Sequence, residues 1–139
     1  MRRERGHTLL EVTVVVTILA SLAAAAAPSY IRTSEQTRVD ACAAALRSVW
    51  SAQRTHWLES RAYAPTLETL VSEGHLDRAA CEDLDDFTMQ MTGVSTHAFT
   101  VTATRTGGAW AGAISVDQTG DLSGETTNGE GDHVAPFAK

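Results

Sequence analysis

Between Gly6 and Gly74 the chain contains no glycine, and Pro28 is its only proline before Pro65. These two residue types interrupt helices most strongly, so their absence over so long a run predicts one long helix. From Thr8 to about Leu58 that helix would be roughly 75 Å long, more than a small domain can cover. Its first half must be buried in something other than the core of its own chain. Pro28 removes a helical hydrogen bond and crowds the preceding turn, so a kink or local unwinding is expected there.

That first half is also the most apolar part of the chain. Leu9 to Ala27 carries one charge, Glu11, and as a helix spans about 28 Å against a hydrocarbon core of about 30 Å. It is just long enough to cross. The flank Met1-Arg2-Arg3-Glu4-Arg5 is basic, and an Arg/Lys excess marks the cytoplasmic side, so the chain should run N-in and C-out. A carboxylate near the hydrocarbon costs on the order of 3 kcal/mol on insertion scales and normally has a partner and a purpose. No Lys or Arg follows Glu11 until Arg32. The candidates are the basic leader or a new α-amino group, which a cut after Gly6 would place one helical turn from Glu11.

The series Gly6, His7, Thr8, Leu9, Leu10, Glu11, followed by the apolar run Val12 to Ala27, resembles the start of type IV pilins and type II secretion pseudopilins. Their precursors carry a short basic leader ending in Gly, then an aromatic or apolar residue, Thr, two apolar residues and Glu. His7 stands where the family usually has Phe. The resemblance implies a pilin fold of class α+β, with a long N-terminal helix packed on a three- or four-stranded antiparallel sheet. It implies a leader at residues 1–6, a transmembrane and filament-core helix at 7–31, and a globular head at 32–139 with a flexible acidic C-terminal region. Prepilin peptidase would cut between Gly6 and His7 and methylate the new terminus. The partners would be that peptidase, other pilin subunits and the inner membrane before assembly into a periplasmic or extracellular filament. Glu11 would pair with the α-amino group of a neighbouring subunit, and Pro28 would mark the bend of the inner helix. Two other readings stand beside this one: a signal peptide cut after Ala25-Ala26-Ala27, releasing a periplasmic binding module that starts at Pro28, and a plain membrane anchor.

The net charge is −6, and without residues 1–6 the chain has 8 basic and 16 acidic residues, or −8. That balance argues against nucleic acid as a partner, since such binding rests on Lys and Arg neutralising phosphates. Cys42 and Cys81 lie outside the cytoplasm by the orientation argument, and an even count in an oxidising compartment predicts one disulfide. It would close a loop of about 40 residues and contribute about 4 kcal/mol in the chain-entropy picture. His56, His75, His97 and His133 show no spacing of a triad or a metal pair, and no phosphate-cradling glycine motif occurs. The chain reads as a substrate of a processing enzyme, with no catalytic residues, metal or cofactor of its own.

Beyond Pro28, Val39, Cys42, Ala43, Leu46, Val49, Trp50, Gln53 and Trp57 recur at three- and four-residue spacing. This predicts an amphipathic second half of the helix, with both tryptophans in the core. Thr66 suits a helix N-cap and Gly74 a helix end, so a short helix is expected between them. Cys81 to Asp86 reads as an acidic connector. After it the period becomes alternating, with strands over 87–91, 98–105 and 110–117 and a short last strand near Leu122 and Ser123. The two hairpin segments at 99–104 and 114–120 also resemble the terminal hairpin of type IV pilins. The polar, glycine-rich stretch 124–132 reads as a flexible loop or tail. Asp117, Asp121, Glu125, Glu130 and Asp132 have oxygen ligands for Ca²⁺, but their spacing fits no EF-hand and no metal is expected.

Overall fold

The computed structural model describes residues 8–82, 84 and 86–136, the side chains of residues 27 and 28 apart. The chain divides into two compact units, Met1–Ser34 and Glu35–Lys139. Helix α1, Leu9–Ser60, supplies all the described regular structure of the first unit and continues into the second. The helix runs unbroken across position 28, without local unwinding. The bend expected at Pro28 turns on a residue whose side chain lies outside the described part.

In the second unit the three-and-four spacing does what it predicts. Val39, Cys42, Leu46 and Val49 are wholly buried, with Ala43 and Ala52 nearly so. Burying a Val or Leu side chain is worth about 1.5–3 kcal/mol, so this face holds α1 to the rest of the head. Trp50 and Trp57 depart from the expectation, since both are only half-buried. Each donates its indole N–H to a backbone carbonyl at 3.3 Å, Trp50 to Gln118 and Trp57 to Thr96. Arg54 and Arg61 lie over the two rings. An indole has an apolar body and a polar edge, and here the edge has pulled both rings to the margin of the core.

Helix α2, Leu67–Ser72, begins as its sequence indicates, with the Thr66 side chain accepting from the Thr69 N–H. It ends in a turn where the N–H of Gly74 donates to Val71 and that of His75 to Leu70. A further short helix, α3, Ala79–Glu82, occupies the start of what the sequence suggests is a connector.

Strands β1 (Phe87–Thr92), β2 (Thr100–Arg105), β3 (Trp110–Asp117), β4 (Leu122–Asn128) and β5 (His133–Val134) form one antiparallel sheet in sequential order. Its inner rows are set by register: Met91, Val101 and Val116 face one another across three strands, as do Met89, Ala103 and Ile114. These side chains join the apolar face of α1 in one core. The fold class is thus as expected, but the sheet has five strands where three or four were anticipated. The difference lies in 124–132, which is not a tail. β4 runs through Asn128, and the side-chain oxygen of Asn128 accepts from the N–H groups of Glu130 and Asp132 to close a hairpin into β5. Two of the glycines are sites of close backbone approach. A Cβ on Gly112 would lie 2.2 Å from the carbonyl oxygen of Glu125, and one on Gly124 would lie 2.1 Å from that of Ala113. Both have φ in the left-handed range, so only glycine lets β3 and β4 meet this closely.

Candidate assembly segment

Thr8 opens α1. Its hydroxyl accepts from the N–H of Glu11 at 3.3 Å and its carbonyl from Val12 at 3.2 Å, an N-cap arrangement that satisfies donors the first turn would otherwise leave free. Glu11 lies in that first turn, where the partial positive charge of the helix N-terminus favours a carboxylate. Among the described residues no ion pair reaches the Glu11 side chain. Gly6 and His7, the expected processing site, lie outside the described residues.

From Leu9 to Leu22 every large hydrophobic side chain is exposed, from 49% at Val12 to 88% at Leu9. A helix apolar on all sides is suited to lipid or to a bundle of similar helices. By length and composition it is able to cross a membrane. Its hydroxyls are accommodated locally. Thr13 donates to the carbonyl of Leu9, Thr17 to Thr13, Ser21 to Ile18, and further along Ser29 donates to Ala26 and Thr33 to Ser29. These five hydroxyls therefore need no partner from an apolar medium.

Both cysteines carry free thiols in the structure, which leaves the expected disulfide without support there. Cys42 is wholly buried on the core face of α1, and burial pushes its thiol up to about 12. Cys81, on α3, packs at the edge of the same core and opens onto a cleft of about 260 Å³ lined by Leu67, Val71, Arg78, Phe87 and Met89 among others. Burial also raises its thiol, Glu82 adds to the rise and Arg78 partly offsets it. Compartment and count permit a disulfide, but they say nothing of whether two side chains meet in bonding geometry.

The head also contains a polar core that the sequence reading missed. Arg105 grips Glu35 with two parallel bonds, Nε to Oε1 at 3.1 Å and Nη2 to Oε2 at 3.2 Å, and both side chains are 1% exposed. The third guanidinium nitrogen reaches Asp86 Oδ2 at 2.8 Å and the Asp86 carbonyl at 3.3 Å. Arg38 meets the same Asp86 oxygen at 3.1 Å, and the Phe87 ring lies against the Arg105 guanidinium. This network ties the first turn of the head's helix to β2 and to the start of β1. A second buried group, Gln53, mimics a peptide: its Oε1 accepts from the Ala64 N–H at 2.8 Å and its Nε2 donates to the Ala64 carbonyl at 3.0 Å. The C-terminal acidic residues serve turns and pairs. Asp117 accepts from the hydroxyl and N–H of Thr119, which hold its carboxyl below the usual range, and Glu125 pairs with His133.

A comparison with curated proteins finds no match to the chain. The prokaryotic N-terminal methylation motif matches residues 1–27, the stretch that comprises the basic leader, Gly6, Glu11 and the exposed apolar helix. Residues 1–27 therefore carry the leader of the type IV pilins and pseudopilins.

Proposed function

We propose that this chain is a structural subunit of a type IV pilus-like filament. The observation that carries the reading is a methylation-type leader running directly into an apolar helix whose own chain leaves it uncovered. Prepilin peptidase cuts between Gly6 and His7 and methylates the new terminus. The uncut chain sits in the bacterial inner membrane with its N-terminus in the cytoplasm. On assembly the helix leaves lipid for a bundle of similar helices, and the small residues Ala20, Ser21 and 23–27 allow close approach. Head-to-tail contacts that do not close generate a filament, periplasmic or extracellular. Glu11 pairs with the α-amino group of a neighbouring subunit, so an unmatched subunit leaves a charge unpaired in an apolar core. The chain has a structural role and no catalysis of its own. The same leader occurs on type II secretion pseudopilins, which makes a secretion pseudopilus the alternative filament.

Mass spectrometry of the mature N-terminus tests the reading. A chain beginning at His7 supports it, whereas one beginning at Pro28 would mean signal-peptide cleavage and a released periplasmic module. Gly6→Val should block processing, because a large side chain then stands beside the scissile bond. Wild-type processing of that variant would overturn the assignment.

A further inference from the structure

Of the eight Lys and Arg residues that follow the leader, three stand seven residues apart along α1 and its end: Arg47, Arg54 and Arg61. Trp50 and Trp57 fall between them, so one helical stripe reads Arg-Trp-Arg-Trp-Arg at alternating three- and four-residue steps. The Arg54 guanidinium lies 5.6 Å from the centre of the Trp50 ring, and that of Arg61 lies 5.3 Å from Trp57. The rings are themselves pinned by their N–H groups to Gln118 and Thr96. Stacking on a fixed ring holds a guanidinium flat and leaves its N–H edge for an outside acceptor. All three arginines are exposed, and among the described residues no ion pair reaches Arg54 or Arg61. Of the carboxylates on neighbouring turns, Glu59 faces His75 at 3.4 Å, Asp117 is held by Thr119, and Asp121 is exposed on the same turn as Asp117.

This stripe lies toward one end of the head. Gln118 belongs to the β3–β4 turn and Thr96 to the β1–β2 loop, and in a sequential antiparallel sheet alternate turns fall at the same end. The β2–β3 and β4–β5 turns fall at the other, where α1 enters the head: Arg105, the last residue of β2, bonds Glu35, and Gln36 Nε2 donates to the carbonyl of Ala135, just after β5, at 3.1 Å. That end is acidic. The β4–β5 turn carries Glu130 and Asp132, and Asp40 accepts from the same Gln36. Arg38 and His133, basic groups at that end, are already paired with Asp86 and Glu125. Glu130 is exposed in the turn, and among the described residues no ion pair reaches it. Subunits related by one screw operation meet through two different surfaces. Resting on the filament reading above, we propose that Arg54 and Arg61 of one head dock the acidic β4–β5 turn of a second copy, with Glu130 as the principal acceptor. Arginine suits this contact because it can grip a carboxylate with two parallel bonds. Such charges set register and reject wrong neighbours, which apolar helices packed at the centre of a filament do poorly by themselves.

Charge reversal in cells, read as sheared filament yield, tests the contact. Arg54→Glu/Arg61→Glu should lower the yield at least about fivefold, since each attraction becomes a repulsion repeated at every subunit. The mature N-terminus and the melting temperature of the head should stay those of the wild type. Glu130→Arg should lower the yield in the same way, and as a change in an exposed turn it tests the contact even if the arginine variant disturbs the stacking on Trp50 and Trp57. Combining Glu130→Arg with Arg54→Glu/Arg61→Glu should restore most of the yield, a recovery that a purely structural role for these side chains does not give. Wild-type yield from either reversed variant, or no recovery in the combination, would overturn the contact and leave the filament reading standing. No filament from the wild-type chain would overturn both. Loss of binding to fluorescein-labelled double-stranded DNA in Arg54→Glu/Arg61→Glu, with filament yield unchanged, would show that the stripe reads a nucleic acid and would also overturn the proposal.

Discussion

Arg105→Met is the substitution that most directly tests how the head is held together. It leaves the Glu35 carboxylate 1% exposed and without the two bonds that satisfied it, and breaking a buried pair in this way costs about 3–5 kcal/mol. Glu35→Gln is milder. Its amide oxygen still accepts one bond, and Arg105 keeps Asp86 at 2.8 Å, so the loss should be about 1–3 kcal/mol. In the double variant Glu35→Met/Arg105→Met neither buried charge remains, while Asp86 retains Arg38 at 3.1 Å. That variant should be more stable than Arg105→Met alone. Urea unfolding of the full-length protein in detergent, followed by tryptophan fluorescence, reads the head selectively because Trp50, Trp57 and Trp110 all lie in it. With a slope of about 1–3 kcal/mol per molar urea, Arg105→Met should lower the midpoint by about 1 M or more. Equal losses for Arg105→Met and Glu35→Gln, or a double variant as unstable as Arg105→Met, would refute the account.

Two further outcomes follow from the cysteines and from Glu11. Because the thiolate is the nucleophile and burial holds the Cys42 thiol protonated up to about 12, iodoacetamide at pH 8 should label Cys81 first and Cys42 only after unfolding; equal rates in the folded protein would show that Cys42 is not shielded. Glu11→Val should reach the membrane and be cut after Gly6 as the wild type is, since a charge opposed to the bilayer is removed, yet enter filaments poorly; normal assembly, read from sheared filament yield, would remove the electrostatic role given to Glu11.

The parts of the fold visible in sequence are those set by local chemistry. A run without glycine gave the long helix, Thr66 and Gly74 bracketed α2, and alternation in Thr-Val-Thr-Ala marked β2. Where backbones meet, composition misleads: Gly124 reads as the start of a tail, yet it is glycine because the neighbouring strand leaves no room for a Cβ. The Glu35–Arg105 pair joins residues 70 apart in sequence, and nothing local pairs them. A signal was nevertheless present. Stepping back from Val39 by one helical turn reaches Glu35 on the buried face, and Arg105 shares the inward parity of Val101 and Ala103 on β2. In the assembly segment, Glu11 and the apolar run are legible because hydrophobicity and charge are properties of composition. The partition of charge between the two ends of the head is not, because it depends on which hairpin turns meet which end of α1.

The hydroxyls of Thr13, Thr17 and Ser21 have a consequence for energetics. Each donates to a carbonyl of its own helix, so the donors travel with their acceptors. Such a rod is indifferent to what surrounds it as far as these groups are concerned: exchanging lipid tails for neighbouring side chains makes and breaks none of their hydrogen bonds. The balance between the two environments is then left to close packing and to the carboxylate of Glu11, one residue whose demand the helix cannot meet by itself.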